Sequence, residues 1–172
     1  PVLAIPTDTA TAARPVDGPS DIDGGPGNDT LVGTAGNDVL NGFGGDDILD
    51  GRGGIDLLDG GTGTDTVTFA NATAGVGAYL SGGGLPYGDG LGDTYISVEN
   101  MIGSNFRDYL SGNGSNNVIR GGGGMDDLYG FADDTAEIDF LYGGDDIDLL
   151  LGGMGLDRLD GEAGEDTVSY LL

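Results

Sequence analysis

Aspartate recurs every nine residues between residues 24 and 68, always at the sixth place of a glycine-rich unit. The first unit, GGPGNDTLV, spans residues 24–32, and four more follow in the same phase. Glycine can bend the chain tightly and turn carbonyls inward where other residues cannot. Each unit therefore offers one carboxylate and several backbone oxygens, a ligand set that suits hard cations. The repeated acids are Asp29, Asp38, Asp47, Asp56 and Asp65.

An aliphatic residue repeats as regularly as the acid, two places after it. These eighth-place residues are Leu31, Leu40, Leu49, Leu58 and Val67. Places one to six suit a turn, and places seven to nine suit a short strand with only the eighth side chain pointing inward. Turn, strand, turn, strand makes a flattened coil, and coils stack by parallel strand pairing at about 4.8 Å. Units two apart are then neighbours, so the acids line two opposite edges.

The charge of the chain makes bound cations necessary for a compact fold. The sequence has a formal charge of −25, 38 glycines, no His and no Cys, a composition that normally leaves a chain disordered. Flexible sites of six or more oxygens favour Ca²⁺ over Mg²⁺, so we predict calcium as the cofactor. The lack of a basic surface argues against nucleic acid and anionic membranes as partners. No apolar run approaches the ~20 residues of a membrane-inserted span.

A second series of units follows an interruption. After residue 68 the period is lost, and the apolar residues of VGAYL (76–80) alternate as in a half-buried strand. Units resume at TYISVENMI (94–102), and the unit that starts at Gly130 is four residues too long. We predict four regions: a Pro/Thr/Ala-rich linker over 1–19, a first array over 20–68, an irregular strand and loop insert over 69–93, and a second array over 94–172.

The units resemble the GGxGxDxUx nonapeptide of hemolysin-type calcium-binding proteins, the RTX family. The likeness runs from about residue 20 to the C-terminus, and several consecutive in-phase copies make it far more specific than one glycine-rich motif. It implies an all-β fold, a parallel β-roll, which is a right-handed two-sheet solenoid with Ca²⁺ in the turns. It also implies that each ion lies between turns two units apart. One turn gives the carbonyls of places two and four and the acid, and the other gives the carbonyls of places one and three and the acid.

The resemblance implies three sites in each array. Those of the first array join Gly25, Gly27 and Asp29 to Gly42, Gly44 and Asp47; Thr34, Gly36 and Asp38 to Gly51, Gly53 and Asp56; and Phe43, Gly45 and Asp47 to Gly60, Thr62 and Asp65. Those of the second array join Ser104, Phe106 and Asp108 to Gly121, Gly123 and Asp126; Gly122, Gly124 and Asp126 to Gly143, Asp145 and Asp148; and Gly144, Asp146 and Asp148 to Gly161, Ala163 and Asp166.

Some turns depart from the family pattern. Tyr95, Ser97 and Glu99 would face Gly112, Gly114 and Asn117, and the neutral Asn offers an oxygen without a charge. The insertion around Asp133 to Glu137 interrupts the turn that contains Asp139, which lies between those of Asn117 and Asp157. With these turns as weaker candidates, we expect about six to eight calcium ions.

Two other interpretations of the side chains are open. Adjacent acids such as Asp46 and Asp47 can be read as a glycosidase carboxylate pair, but in a chain this rich in acid a ligand beside a solvated neighbour is favoured. The aromatic residues near the insert can form a sugar- or partner-binding platform, although covering the interrupted roll is favoured. They are Tyr79, Tyr87, Tyr95, Phe106 and Tyr109.

The sequence and the resemblance together predict a non-catalytic, calcium-loaded module of a secreted bacterial protein. The family implies export by a type I channel and folding on calcium outside the cell or at its surface, with any catalytic activity in a separate domain. Two alternatives involve other partners. A self-assembling surface-layer, filament or adhesin subunit predicts calcium-dependent self-association, and a carbohydrate-binding accessory module of an extracellular enzyme predicts binding to a polysaccharide.

Overall fold

Short strands alternate with glycine-rich turns along the whole of the chain that the structure describes. The computed structural model describes residues 20–131 and 137–170, so the predicted linker, the insertion over 132–136 and the last two residues lie outside the described residues. The first eight strands are β1 (Asp21–Asp23), β2 (Thr30–Val32), β3 (Val39–Asn41), β4 (Ile48–Asp50), β5 (Leu57–Asp59), β6 (Thr66–Thr68), β7 (Gly77–Tyr79) and β8 (Thr94–Ile96). The other eight are β9 (Asn100–Ile102), β10 (Tyr109–Ser111), β11 (Val118–Gly123), β12 (Asp127–Phe131), β13 (Phe140–Asp145), β14 (Leu149–Gly153), β15 (Arg158–Ala163) and β16 (Thr167–Ser169).

Parallel pairing between strands of successive coils builds a β-solenoid. One face is a continuous seven-stranded sheet in the order β15-β13-β11-β9-β6-β4-β2. The opposite face consists of a four-stranded sheet, β1-β3-β5-β8, and a five-stranded sheet, β16-β14-β12-β10-β7. The only helical element in the described ranges is one 3-10 turn at Gly88–Gly90. The predicted all-β parallel β-roll is confirmed.

The eighth-place residues form the interior of the roll. In the seven-stranded sheet Leu31 is in register with Leu49, and Leu49 with Val67. All three side chains are fully buried, whereas Ile48, beside Leu49 in the same strand, is 39% exposed. The period of two along a strand explains this, because only the middle residue of a three-residue strand points between the sheets. The core is therefore a ladder one side chain wide, in which each rung is covered only by its neighbours.

The insert adds a strand to one face and divides that face. Strand β7 pairs with β10, with Gly77 opposite Tyr109, while β8 returns to pair with β5. Val76 and Ala78 are fully buried and Leu80 nearly so, as the predicted alternation requires. Strand β6 meanwhile pairs directly with β9, so the seven-stranded sheet continues past the insert without a break. The two arrays thus share one sheet and are separated on the other.

Aromatic side chains cover the place where the insert joins the second array. The rings of Tyr79 and Tyr109 have centroids 5.3 Å apart, and those of Tyr109 and Tyr129 are stacked at 4.6 Å. Tyr87 pairs through its backbone with Gly77 in β7, and its ring lies against the same glycine. Because these rings face one another, much of their apolar surface is used within the fold.

Truncation of one rung should destabilise the calcium-loaded protein far more than truncation of its exposed neighbour. We expect Leu49→Ala to lower the free energy of unfolding by about 2 to 5 kcal/mol, since the ladder has no second layer that could fill the cavity. Ile48→Ala, in the same strand, is the matched control. Denaturant unfolding in calcium, followed by circular dichroism, measures both. Equal losses for the two variants would contradict the one-residue-wide core.

Candidate metal centres

The sixth-place acids are fixed between coils by one of their two oxygens. On the edge that precedes the seven-stranded sheet, which we name edge one, the backbone N–H of Asp29 donates to Oδ1 of Asp47 at 2.8 Å, and that of Asp47 donates to Oδ1 of Asp65 at 2.8 Å. On the opposite edge, edge two, the N–H of Asp38 donates to Oδ1 of Asp56 at 2.8 Å. Each carboxylate is therefore oriented by the coil before it and cannot turn freely toward solvent.

The second carboxylate oxygen has no partner in many of these turns. Within the described ranges, the Oδ2 atoms with no solvent access and no hydrogen bond include those of Asp47, Asp56, Asp65, Asp126, Asp148 and Asp157. Burying an ionised carboxylate oxygen without a donor is costly, and native proteins avoid it unless a cation or a donor is supplied. The repetition of this feature at equivalent places indicates a repeated ligand rather than a local defect.

Backbone carbonyls of the next coil face the same space as these oxygens. A Cβ placed on Gly24 would stand 2.8 Å from Oδ2 of Asp29 and 2.8 Å from the carbonyl oxygen of Gly42. A Cβ on Gly42 would likewise collide with Oδ2 of Asp47 and the carbonyl of Gly60. First-place glycine thus leaves room where carboxylate and carbonyl oxygens converge from two coils. Such a donor set fits Ca²⁺, which takes six to eight oxygens and tolerates irregular geometry.

Carboxylates alone cannot complete such a site. No group of three or more acidic side chains comes together to hold a metal in the part of the chain that the structure describes. The sixth-place acids lie one per turn, on coils that stack at the strand spacing. A cation between two turns would therefore take most of its ligands from backbone carbonyls, as flexible calcium sites do.

The turns have two backbone conformations at the second place. In one, this residue has positive φ, as at Phe43 (69°), Arg52 (68°) and Gly122 (108°), and the acid of the same turn keeps a free Oδ2. In the other, the second-place N–H binds that oxygen, as Gly25 does with Asp29 at 2.5 Å and Thr34 with Asp38 at 2.6 Å. We call the first conformation open, because Oδ2 is left free, and the second closed. A positive φ is unfavourable for residues with a side chain. The open conformation therefore needs support from neighbouring coils.

The position of a turn in its array determines which conformation it adopts. The closed turns are the first two of the first array and their counterparts after the insert, where Ser104 N–H binds Asp108 at 2.5 Å and Asn113 N–H binds Asn117 at 2.8 Å. The open turns follow a coil on the same edge. The turn of Asn117, which follows the three-residue turn over 97–99 on edge one, is closed although a coil precedes it. In Asp29, Asp38 and Asp108, Oδ2 therefore already accepts a hydrogen bond from a backbone N–H of the same turn.

Burial raises the pKa of several sixth-place acids. It raises the pKa of Asp126 to about 8 and those of Asp56 and Asp139 to about 6, from an ordinary value of 3.8, while hydrogen bonds from the backbone oppose the shift. The pKa values of Asp47 and Asp148 are raised in the same direction and for the same main cause. Neighbouring carboxylates add to the effect. Without a bound cation these groups therefore resist ionisation.

The predicted ligands come together as two rows along the roll. Edge one carries Asp29, Asp47, Asp65, Glu99, Asn117, Asp139 and Asp157, each linked to the next by a hydrogen bond. Edge two carries Asp38 and Asp56, and after the insert Asp108, Asp126, Asp148 and Asp166. Glu99 reaches Asp65 N–H at 2.8 Å with its longer side chain, because its turn has only three residues, 97–99.

Asp93 occupies a sixth-place position that is absent from the predicted ligand set. Its Oδ1 accepts the N–H of Asp56 at 2.8 Å, so it extends edge two by one coil. The sequence does contain a signal, since GDGLGDTYI (88–96) has glycine at places one, three and five, Asp at six and Tyr95 at eight. The predicted second array, which begins at residue 94 in phase with Gly103, leaves out this unit. Burial raises the pKa of Asp93 to about 7, the same effect as in the other rows.

Comparison with known proteins agrees with this geometry. Residues 23–58, 45–69, 102–134 and 133–168 match the RTX calcium-binding nonapeptide repeat. The chain belongs to this family. RTX repeats in general bind calcium, and calcium is also the cation that the oxygen chemistry of the two rows favours. Residues 70–101, with β7, β8 and the turn of Asp93, lie outside the matched segments.

No curated protein matches the chain. The RTX β-roll is a structural module. The part of the chain that the structure describes contains no helix long and apolar enough to cross a membrane.

Adding one methyl group at a first-place glycine should impair calcium binding. In Gly42→Ala the new Cβ enters the space between Asp47 Oδ2 and the Gly60 carbonyl, so the calcium midpoint should rise by about tenfold or more, in line with the 1–3 kcal/mol of overpacking. Gly27→Ala is the control, because nothing lies within 4 Å of its added Cβ and its φ is not positive. Calcium titration followed by circular dichroism compares the two. Unchanged binding in Gly42→Ala would contradict the convergence of ligands at this point.

Acid should stabilise the calcium-free chain. The raised pKa values mean that the fold prefers protonated Asp56, Asp126 and Asp139, a contribution fully present below 3.8 and lost as pH rises through about 6 to 8. In chelator, the β signal and melting temperature should be greater near about pH 4 than near about pH 7.5. The calcium-loaded protein should show the reverse, because protons compete with the metal for carboxylates. Equal melting temperatures of the chelated chain at the two pH values would disprove this account.

Proposed function

We propose that the chain is a calcium-dependent structural module of a secreted protein, which stays unfolded in the cytoplasm and folds when it meets calcium outside the cell. The observation that supports this most directly is the set of buried Oδ2 atoms without partners. They repeat at equivalent places of successive coils, and carbonyls of the next coil face the same space at the first-place glycines. A folded, calcium-free chain at neutral pH would leave these charges uncompensated.

The electrostatic free energy links folding to calcium. Carboxylates stacked at the strand spacing repel one another by roughly 1 kcal/mol per pair even in water, and by more when partly buried. The formal charge of the whole chain is −25. About six to eight ions would contribute about +12 to +16 and would tie separate coils together. Because each cage is assembled from two coils, it does not exist in the unfolded chain, so binding and folding are one equilibrium.

The acids serve as ligands rather than as catalysts in this proposal. After the first turn of edge one, the sixth-place carboxylates are held by an N–H of the preceding coil, as at Asp47 and Asp126, which receive bonds from Asp29 and Asp108 at 2.8 Å. A general acid or base must instead present its carboxyl group to a substrate. The oxygens that are not used by the backbone point into the space between coils, where a cation fits and a substrate does not.

Export as an unfolded chain requires calcium affinity in a suitable range. If the module folds only outside the cell, its folding midpoint should lie far above cytosolic free calcium, on the order of 10⁻⁴ to 10⁻³ M as in extracellular calcium modules. Circular dichroism at increasing buffered calcium measures this midpoint. A midpoint below micromolar calcium would mean that the chain folds before export, contrary to the proposal.

A pair of neighbouring acids tests the role of the sixth place. Asp47→Asn removes one buried charge and keeps an oxygen that can accept the Asp29 N–H, whereas Asp46→Asn removes an exposed charge and keeps the acceptor for the Thr64 N–H. We expect Asp47→Asn to raise the calcium midpoint by tenfold or more, on the order of the value of one charged ligand, and Asp46→Asn to change it little. Identical titrations for both variants, or a wild-type chain that keeps its β signal in chelator, would refute the proposed function.

A further inference from the structure

The turn that links β8 to β9 differs from its neighbours on edge one. It has three residues, 97–99, whereas the turns before and after it on this edge, 60–65 and 112–117, have six, and Ser97 has positive φ of 49°. Its next neighbour on this edge is the turn over 112–117, which begins the second array. The sequence pairs these two turns as a weaker calcium site, with Glu99 facing Asn117.

Asparagine side chains connect these two turns directly. The Nδ2 group of Asn117 donates to the carbonyl of Glu99 at 2.7 Å, and the Nδ2 group of Asn113 donates to the carbonyl of Val98 at 3.2 Å. Asn117 Nδ2 also donates to Oδ1 of Asn113 at 3.1 Å. Two carbonyls of the short turn that face the second array are therefore bound by amide donors.

The buried Asn117 side chain has all of its polar atoms satisfied. Its Oδ1 accepts the N–H of Asn113 at 2.8 Å, and its own backbone N–H donates to Oδ1 of Asp139 at 2.8 Å. Asn117 is fully buried, and sixth-place aspartates such as Asp47 and Asp126 are almost fully buried. In those turns Oδ2 lacks a partner, as at Asp47. Asn117 differs from these aspartates because its amide contains both donor N–H groups and an acceptor oxygen. It therefore needs no bound cation to satisfy its polar atoms.

On edge two, at the first coil of the second array, the carboxylate oxygens of Asp108 also have hydrogen-bond donors from the protein. Oδ1 of Asp108 accepts the N–H of Val76 at 2.7 Å and the hydroxyl of Ser104 at 2.9 Å, and Oδ2 accepts the N–H of Ser104 at 2.5 Å. Val76 comes from the insert, which thus supplies a donor to the first coil of the second array. The rings of Tyr79 and Tyr109, with centroids 5.3 Å apart, belong to β7 and β10, the strands that pair at this level.

We propose that the turns over 97–99 and 112–117 form a calcium-independent joint, in which asparagine amides bridge two coils as calcium does in the arrays on either side. The side chains that face the short turn do not fit a cation, because an amide N–H group is a donor and repels a cation, and the amides of Asn113 and Asn117 both point their donors at carbonyls of that turn. The joint keeps structure in the middle of the chain when calcium is removed and gives both arrays a folded end from which to grow. This inference rests on the proposed calcium-dependent folding of the arrays.

Hydrogen exchange of the full chain tests the joint. In chelator, peptides that cover 98–119 should exchange at least about tenfold more slowly than peptides that cover 42–66, because their bridging hydrogen bonds need no metal. In calcium both regions should be protected. Exchange of 98–119 as fast as that of 42–66 in chelator would overturn the joint.

A substitution at Asn117 separates the joint from the proposed function. Asn117→Asp replaces the bridging donor by an oxygen that faces the Glu99 carbonyl, so protection of 98–119 in chelator should fall by about tenfold or more. Asn116→Asp is the matched control, since it adds the same charge at an exposed neighbour whose Oδ1 still accepts the Ile138 N–H. Equal exchange in the two variants would overturn the joint. If the wild-type chain were protected throughout in chelator, calcium-dependent folding would fail, and the comparison of these variants would still decide the joint.

Discussion

Stacked carboxylates that must share a buried edge are the constraint on which this structure depends. Parallel pairing at the strand spacing brings the acid of each turn next to that of the next coil, as with Asp29 and Asp47. The backbone can satisfy one oxygen of such an acid with an N–H of the preceding coil, but in the open turns it has no donor for the second. A cation coordinated by carbonyl and carboxylate oxygens of two coils would give the second oxygen a partner, and the glycines at the first place leave room for this cation. The composition of the chain follows from this requirement, because a longer or bulkier turn would fill the space where the oxygens meet.

The hydrophobic core and the edges depend on each other. A ladder one residue wide, such as Leu31, Leu49 and Val67, excludes water only when the coils above and below are in place. The edges hold the coils together only when the ladder keeps them in register. Neither part is stable alone, so the roll resembles other solenoids in which each repeat is stabilised by its neighbours. This mutual dependence is the physical reason for the proposal that calcium binding and folding are a single equilibrium.

The insert changes the roll on one face and preserves it on the other. Strand β7 takes the place beside β10 that a regular coil would give to β8, while β6 and β9 remain paired. Edge one thus continues through the junction, and edge two is divided after Asp93. At this break the protein replaces cation ligands with its own donors, from Asn117 on one edge and from Val76 and Ser104 on the other. The arrays therefore meet at a level where side-chain and backbone hydrogen bonds connect the coils, which is the role that we propose for calcium elsewhere.

The sequence alone determined the repeat, the buried ladder and the acids of both edges, because a period of nine with Asp at six and an aliphatic at eight fixes turn and strand locally. It identified the strand around Ala78 through simple alternation. It did not assign Asp93 to edge two, because the unit over 88–96 has Tyr at the eighth place and is out of phase with the units that follow it. Tertiary structure decided the rest. Whether a turn is open or closed depends on the coil that precedes it, and whether Asn117 acts as a ligand or as a bridge depends on the carbonyl opposite its amide, which lies eighteen residues away along the chain and adjacent in space.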